Sequence, residues 1–136
     1  MSDQAFKGKW ALILGASSGM GAAVSRELAR AGMNIFGVHL DMKATLPLVK
    51  TLIEDIEALG SQAVFFNVNA ADETKRGRVL DKVQATLAAA GGETAVHVLM
   101  HSLAFGTLLP FVHEDPTQRI SKAQMDMTLD VMAHSL

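Results

Sequence analysis

An apolar run, Leu12-Ile13-Leu14, leads straight into Gly15-Ala16-Ser17-Ser18-Gly19-Met20-Gly21, and a helical pattern begins directly behind it. A strand, a glycine-rich turn and a helix in that order bring backbone N–H groups and a helix N-terminus together where a phosphate can lie. Each glycine is expected to meet a separate need. Gly15 takes backbone angles closed to other residues, Gly19 lets a pyrophosphate approach the main chain, and Gly21 lets the helix lie close to the strand. Three glycines also make ordinary tight turns. Their position between a strand and a helix is what favours nucleotide binding.

The pattern continues as strands alternating with helices. Strands are expected at Trp10–Leu14, 34–40, 63–68 and 95–102, and helices at 18–31, 45–59, 74–90 and 121–136. Val24, Leu28 and Ala31 form an apolar stripe on the first helix, and Leu48, Leu52, Ile56 and Leu59 form one on the second. Gly32 and Gly60 stop these two helices, Pro47 fits a first turn, and Gly91-Gly92 ends the third. Ser121-Lys122-Ala123-Gln124 fits a capping box opening the last helix. The order implies an α/β, doubly wound, Rossmann-like parallel sheet with right-handed crossovers, in one domain spanning 1–136.

Composition agrees. Hydrophobic residues reach 49% against 19% charged, as expected if strands are buried on both faces. The net charge of −2, without a basic block, gives little support to nucleic-acid or anionic-membrane binding. No apolar run reaches bilayer-spanning length, the first residues lack a signal peptide's apolar region, and there is no cysteine for disulfides or thiolate metal sites. Cytoplasm is the expected compartment.

Several residues have plain structural readings. The methionines, including Met100, Met125, Met127 and Met132, are expected to fill core space. His97 reads as a hydrogen-bonded core residue, whereas His101 ends its strand where doubly wound sheets bind ligands. His113 and Glu114 lack metal-ligand geometry, and Asp81, Lys82, Arg26 and Glu27 read as polar helix faces, Arg26 being near enough to the turn to help with phosphate.

Four places at matching intervals resemble the N-terminal half of the short-chain dehydrogenase/reductase family. They are Gly15, Gly19 and Gly21 in that family's spacing, Asn69-Ala70-Ala71-Asp72 after the third strand, Met100-His101-Ser102-Leu103-Ala104 at the end of the fourth, and Asp130 where the family has a structural Asn. His101-Ser102-Leu103-Ala104-Phe105-Gly106, together with Asp130, is similar to the enoyl-acyl-carrier-protein reductases of fatty acid biosynthesis. The ordinary glycine spacing keeps a ketoacyl or other carbonyl reductase open as the alternative. A methyltransferase is disfavoured, since Leu14 stands where its loop has an acid.

The resemblance implies a nicotinamide cofactor, NADP or NAD, held by Gly15, Ser17, Ser18, Gly19, Met20, Gly21, His39, Asn69, Ala70, Ser102, Leu103 and Ala104. It places the pyrophosphate on the turn, the adenine between Asn69 and the second strand, and the nicotinamide toward Ser102, Leu103 and Ala104. His39 occupies the position of the family's ribose-binding acid, and with Lys43 it could meet a 2′-phosphate, which leans the choice toward NADPH. Asp41 comes two residues late and is expected to point elsewhere. The resemblance also implies a small-molecule or acyl-thioester substrate, a homo-oligomer (a tetramer), and a catalytic Tyr and Lys pair. The sequence has no tyrosine, so that pair and a fifth strand are expected downstream and residues 1–136 alone are expected to be inactive. If these residues were the whole protein, a non-catalytic nucleotide-binding module would be the reading.

Overall fold

The computed structural model describes residues 6–91 and 95–136. The start of the chain read for a signal peptide, and Gly92 of the expected helix stop, lie outside the described residues. Two compact units divide at Ser102, the second being Leu103–Leu136.

The first unit alternates β1 (Trp10–Leu14), α1 (Gly19–Arg30), β2 (Asn34–His39), α2 (Leu46–Ala58), β3 (Ala63–Asn67), α3 (Glu73–Ala90) and β4 (Val96–His101). The strands form one sheet in the order β3-β2-β1-β4, with parallel pairing throughout. Every residue of β1 and β2 is buried, which matches the apolar excess. Side chains alternate across the sheet. Ala11, Ile13 and Ile35 meet Ala22, Ala29, Leu52 and Ile56 of α1 and α2 on one face. Trp10, Leu12 and Phe36 take the other, where the Trp10 and Phe36 rings stack with centroids 4.1 Å apart. The β3-to-β4 connection runs back across the sheet, so right-handed crossover puts α3 on that second face. α3 buries Val79, Val83 and Leu87 at intervals of four, as a helix lying on a sheet must.

Several expectations need correction. On α1 the buried line is Gly21, Ala22, Ser25 and Ala29, because small residues let the helix settle close to the sheet, leaving Val24 and Leu28 at its margin. On α2 the buried line is Val49, Leu52 and Ile56, while Leu48 and Leu59 are exposed. His97 is exposed rather than in the core, since alternation on β4 turns it away from Val98 and Met100. Met33 is fully buried, but Met20, Met42, Met125 and Met132 are exposed.

In the second unit, Asp115 accepts from the Thr117 N–H at a short 3₁₀ turn, Pro116–Gln118. Ser121 and Gln124 form the expected reciprocal capping box at the start of α4 (Lys122–Met132). α4 stops at Met132 and not at the last residue.

Candidate functional site

The carboxyl ends of the four strands stand in a row, tied by backbone hydrogen bonds. Ser102 N–H donates to the Leu14 carbonyl, Gly15 and Ala16 N–H both donate to Val38, and Val68 N–H donates to His39. β4, the glycine turn, β2 and the end of β3 are therefore fixed side by side. In open α/β sheets this edge is where ligands bind.

At the centre of the row, Gly15 has φ +85° and Gly19 φ +53°, both in the left-handed region where side chains are strained. A β-carbon on Gly19 would meet nothing within 4 Å, so the space above the turn is open. One on Gly21 would fall 1.9 Å from the Gly15 carbonyl oxygen, so glycine there lets α1 start against the end of β1. Ser18 is the N-cap of α1, yet its side chain makes no capping bond. The first-turn N–H groups are thus left to an outside acceptor. Ser17 is half-buried, while Ser18 and Met20 are exposed.

His39 and Asp41 lie beside the turn. The His39 ring is buried, and its Nδ1 is 2.9 Å from Asp41 Oδ2, with side-chain exposures of 4% and 15%. Asp41 was expected to point away, but strand alternation ends at His39 and the chain then curls back. The Asp41 N–H donates to Asn67 Oδ1 and the Asp41 carbonyl accepts from Asn67 Nδ2, each at 2.9 Å. Burial pushes the Asp41 carboxyl up, but hydrogen bonds from Ser17, Thr45 and His39, with the His39 charge, outweigh it and hold the group below its ordinary value. The first residues of the turn and the end of β2 therefore share one carboxylate. An acid two positions past a strand, followed by an Asn at the next strand's end, was the available signal.

After β3, Asn69 Oδ1 accepts from the Ala71 N–H, Ala70 is buried, and Arg76 Nη1 donates to the Ala70 carbonyl at 2.7 Å. Arg76, unremarked in the sequence, thus fixes the turn expected to flank an adenine. Asp72 caps α3 through the Lys75 N–H. Arg26 is engaged away from the turn, bonded to Asp55 of α2 at 2.9 Å.

Ser102 closes the first unit and is half-buried; Leu103 and Ala104 open the second. Asp130 on α4 pairs with His134 Nδ1 at 3.1 Å on an exposed face. A cavity of about 310 Å³ lies at the opposite end of the strands, lined by Lys7, Trp10, Asn34, Gln62 and His97 among others, and it takes no part in this row. Among the described residues, no helix is long and apolar enough to cross a membrane and no three acidic, His or Cys side chains gather as a metal site.

The family model of the short chain dehydrogenases matches residues 9–136. A short chain dehydrogenase of Pseudocercospora fijiensis is 29% identical over 108 residues, 79% of this chain and 32% of its own. A Serratia marcescens short-chain dehydrogenase/reductase variant superposes with a TM-score of 0.72 at 19% identity, over 96% of this chain and 47% of that one. L-Sorbose reductase from Gluconobacter frateurii, solved with NADPH and L-sorbose, does so at 0.74 and 18%, over 98% and 45%. The chain thus spans about a third of the first relative and less than half of the other two. With its glycine turn and parallel sheet matched along almost the whole length, the chain belongs to the short-chain dehydrogenase family.

Proposed function

We propose that residues 1–136 form the dinucleotide-binding part of an oxidoreductase that uses NADPH or NADH. One observation carries this reading: the turn from Gly15 to Gly21 meets an α1 N-terminus lacking a side-chain cap. Gly15, Ser17, Ser18, Gly19, Met20 and Gly21 would hold the pyrophosphate by main-chain N–H groups and the positive end of the helix dipole. Asn69 and Ala70 would border the adenine, with Arg76 fixing their turn. His39 would border the ribose. Ser102, tied to Leu14 beside the turn, would lie toward the nicotinamide with Leu103 and Ala104 next in sequence. The cofactor would supply a hydride, while this chain's residues bind and orient it.

The substrate we favour is an enoyl thioester, reduced at its conjugated double bond. That rests on the run His101-Ser102-Leu103-Ala104-Phe105-Gly106 and on Asp130. Reduction of a ketoacyl or other carbonyl group is the second reading, supported by the Gly15, Gly19, Gly21 spacing. Proton donation would fall to a Tyr and Lys pair outside these residues, in a cytoplasmic homo-oligomer of the complete protein.

The test is titration calorimetry of the full-length protein with NADH and NADPH, beside Gly19→Val. The branched residue strains a left-handed position and fills the open space above the turn. Dinucleotide affinity should fall by about a hundredfold, roughly 2.7 kcal/mol, while most of the fold survives. Unchanged affinity in a folded variant refutes the placement. Turnover of a crotonyl thioester against a ketoacyl thioester decides between the two substrates.

A further inference from the structure

We propose that the His39–Asp41 pair selects between the two nicotinamide dinucleotides according to its protonation, favouring the unphosphorylated one when His39 is neutral and admitting the 2′-phosphorylated one when His39 carries a proton. The inference rests on the reading of the glycine turn as a dinucleotide site.

Its basis is how the acid is held. Asn67 holds the Asp41 backbone by its N–H and its carbonyl together, and the His39 ring meets the carboxylate at 2.9 Å. That carboxylate lies between Ser17 of the turn and the buried His39 ring. A dinucleotide with its pyrophosphate on the turn presents its adenosine ribose to the end of β2, and so to this carboxylate. The pair carries one negative charge with a neutral imidazole and none with a protonated one. A 2′-phosphate brings roughly 1.5–2 negative charges at neutral pH. Beside an ionised Asp41 with no counter-charge it is repelled; beside an ion pair most of that repulsion is gone.

The neighbouring elements put uncharged groups against the pair. The turn after β1 contributes Ser17, the segment before α2 contributes Thr45, and β3 contributes Asn67 and the Phe65 ring, 6.1 Å from His39. Among the described residues, His39 is the charged group that acts on Asp41. Lys43 is exposed in the connecting segment. His101 ends β4, two strands from β2 and so about 10 Å away by strand spacing. His101→Gln is the control for it.

The experiment measures NADH and NADPH dissociation constants for the full-length protein from about pH 5.5 to 8.5, where imidazoles change charge. The ratio of the NADPH to the NADH constant should exceed ten at the alkaline end and fall about tenfold on acidification. The 2′-phosphate itself titrates near pH 6, so the variants decide. His39→Gln should abolish most of the pH dependence, Asp41→Asn should lower the ratio at alkaline pH, and His101→Gln should leave both unchanged. NMR titration of the His39 ring in the unmutated protein gives a readout free of folding defects. NADPH must raise the proton affinity of His39 and NADH must not, because the coupling is reciprocal. Full pH dependence in His39→Gln, an unchanged ratio in Asp41→Asn, or a His39 titration indifferent to NADPH overturns the proposal alone. Failure of both dinucleotides to bind at any pH overturns the reading of the site.

Discussion

Gly21 stands so close to Gly15 that a β-carbon on it would lie 1.9 Å from the Gly15 carbonyl oxygen and 2.8 Å from its carbon. Both are backbone atoms, and relief requires moving the turn or the helix. Ser25 adds a tie from within α1, giving its hydroxyl proton to the Gly21 carbonyl at 2.8 Å. Gly21→Ala should therefore cost roughly 3 kcal/mol, near the upper end for forced overpacking. Gly77, in the middle of α3, meets nothing within 4 Å, and there the same change should stabilise by about 0.5–1 kcal/mol. Urea unfolding of the two variants should show opposite signs.

Gly37 is buried in β2, and a β-carbon on it would come 2.5 Å from the Phe65 ring of the neighbouring strand. The obstacle is a side chain, so it can be removed. Gly37→Ala should destabilise by about 1–3 kcal/mol. Adding Phe65→Leu should recover part of that loss, giving a coupling of about 1 kcal/mol in a double-mutant cycle. Additive effects would mean that the ring and the glycine are independent.

The general order of this chain was legible because each element repeats one period. Buried strands read as short apolar runs, and helices showed spacing of three to four. The faces were less legible. The stripe drawn through Val24 and Leu28 lies at the margin because Ala22, Ser25 and Ala29 can approach a sheet more closely than larger side chains. At the site, the glycine turn is visible from its own residues, whereas the place of Asp41 is not. Its position follows from Asn67, which stands 26 residues further on and holds both backbone groups of Asp41. Arg26 near the turn suggested phosphate, but Asp55, 29 residues away, takes its guanidinium. Local patterns cannot announce partners that only the crossover brings together.

Asp41 gives the chain an acid-sensitive contact. Burial raises its carboxyl, the Ser17, Thr45 and His39 hydrogen bonds with the His39 charge outweigh that, and the net position is below the ordinary 3.8. A carboxyl depressed in the folded state contributes stability in full above its unfolded value and loses it as pH falls through the folded value. Asp41→Asn should accordingly be less stable than the unmutated chain near neutrality, and the gap should close in acid, as pH falls through the lowered carboxyl's folded value. Urea midpoints for both proteins near neutrality and in acid check the sign; a gap that widens in acid would contradict it.

β4 is an edge strand of the sheet, as β3 is at the other side, and its two faces differ. Val98 and Met100 rest against the core formed with α1 and α2, while Leu99 points the other way and remains 58% exposed. An edge strand presents a row of N–H and C=O groups to any other strand, and an apolar outward side chain favours that pairing. A polypeptide of residues 1–136 should therefore self-associate through β4. Leu99→Lys places a charge on the edge without disturbing the Val98 and Met100 contacts, and an exposed site of this kind should change stability by no more than about 0.5 kcal/mol. Val98→Lys would instead push an ammonium toward the core and should cost several times as much. Sedimentation velocity of the three proteins at matched concentration is the measurement. Leu99→Lys should shift the distribution toward monomer while its unfolding midpoint stays near that of the unmutated polypeptide. A distribution unchanged by Leu99→Lys would place the self-association on a surface other than this edge.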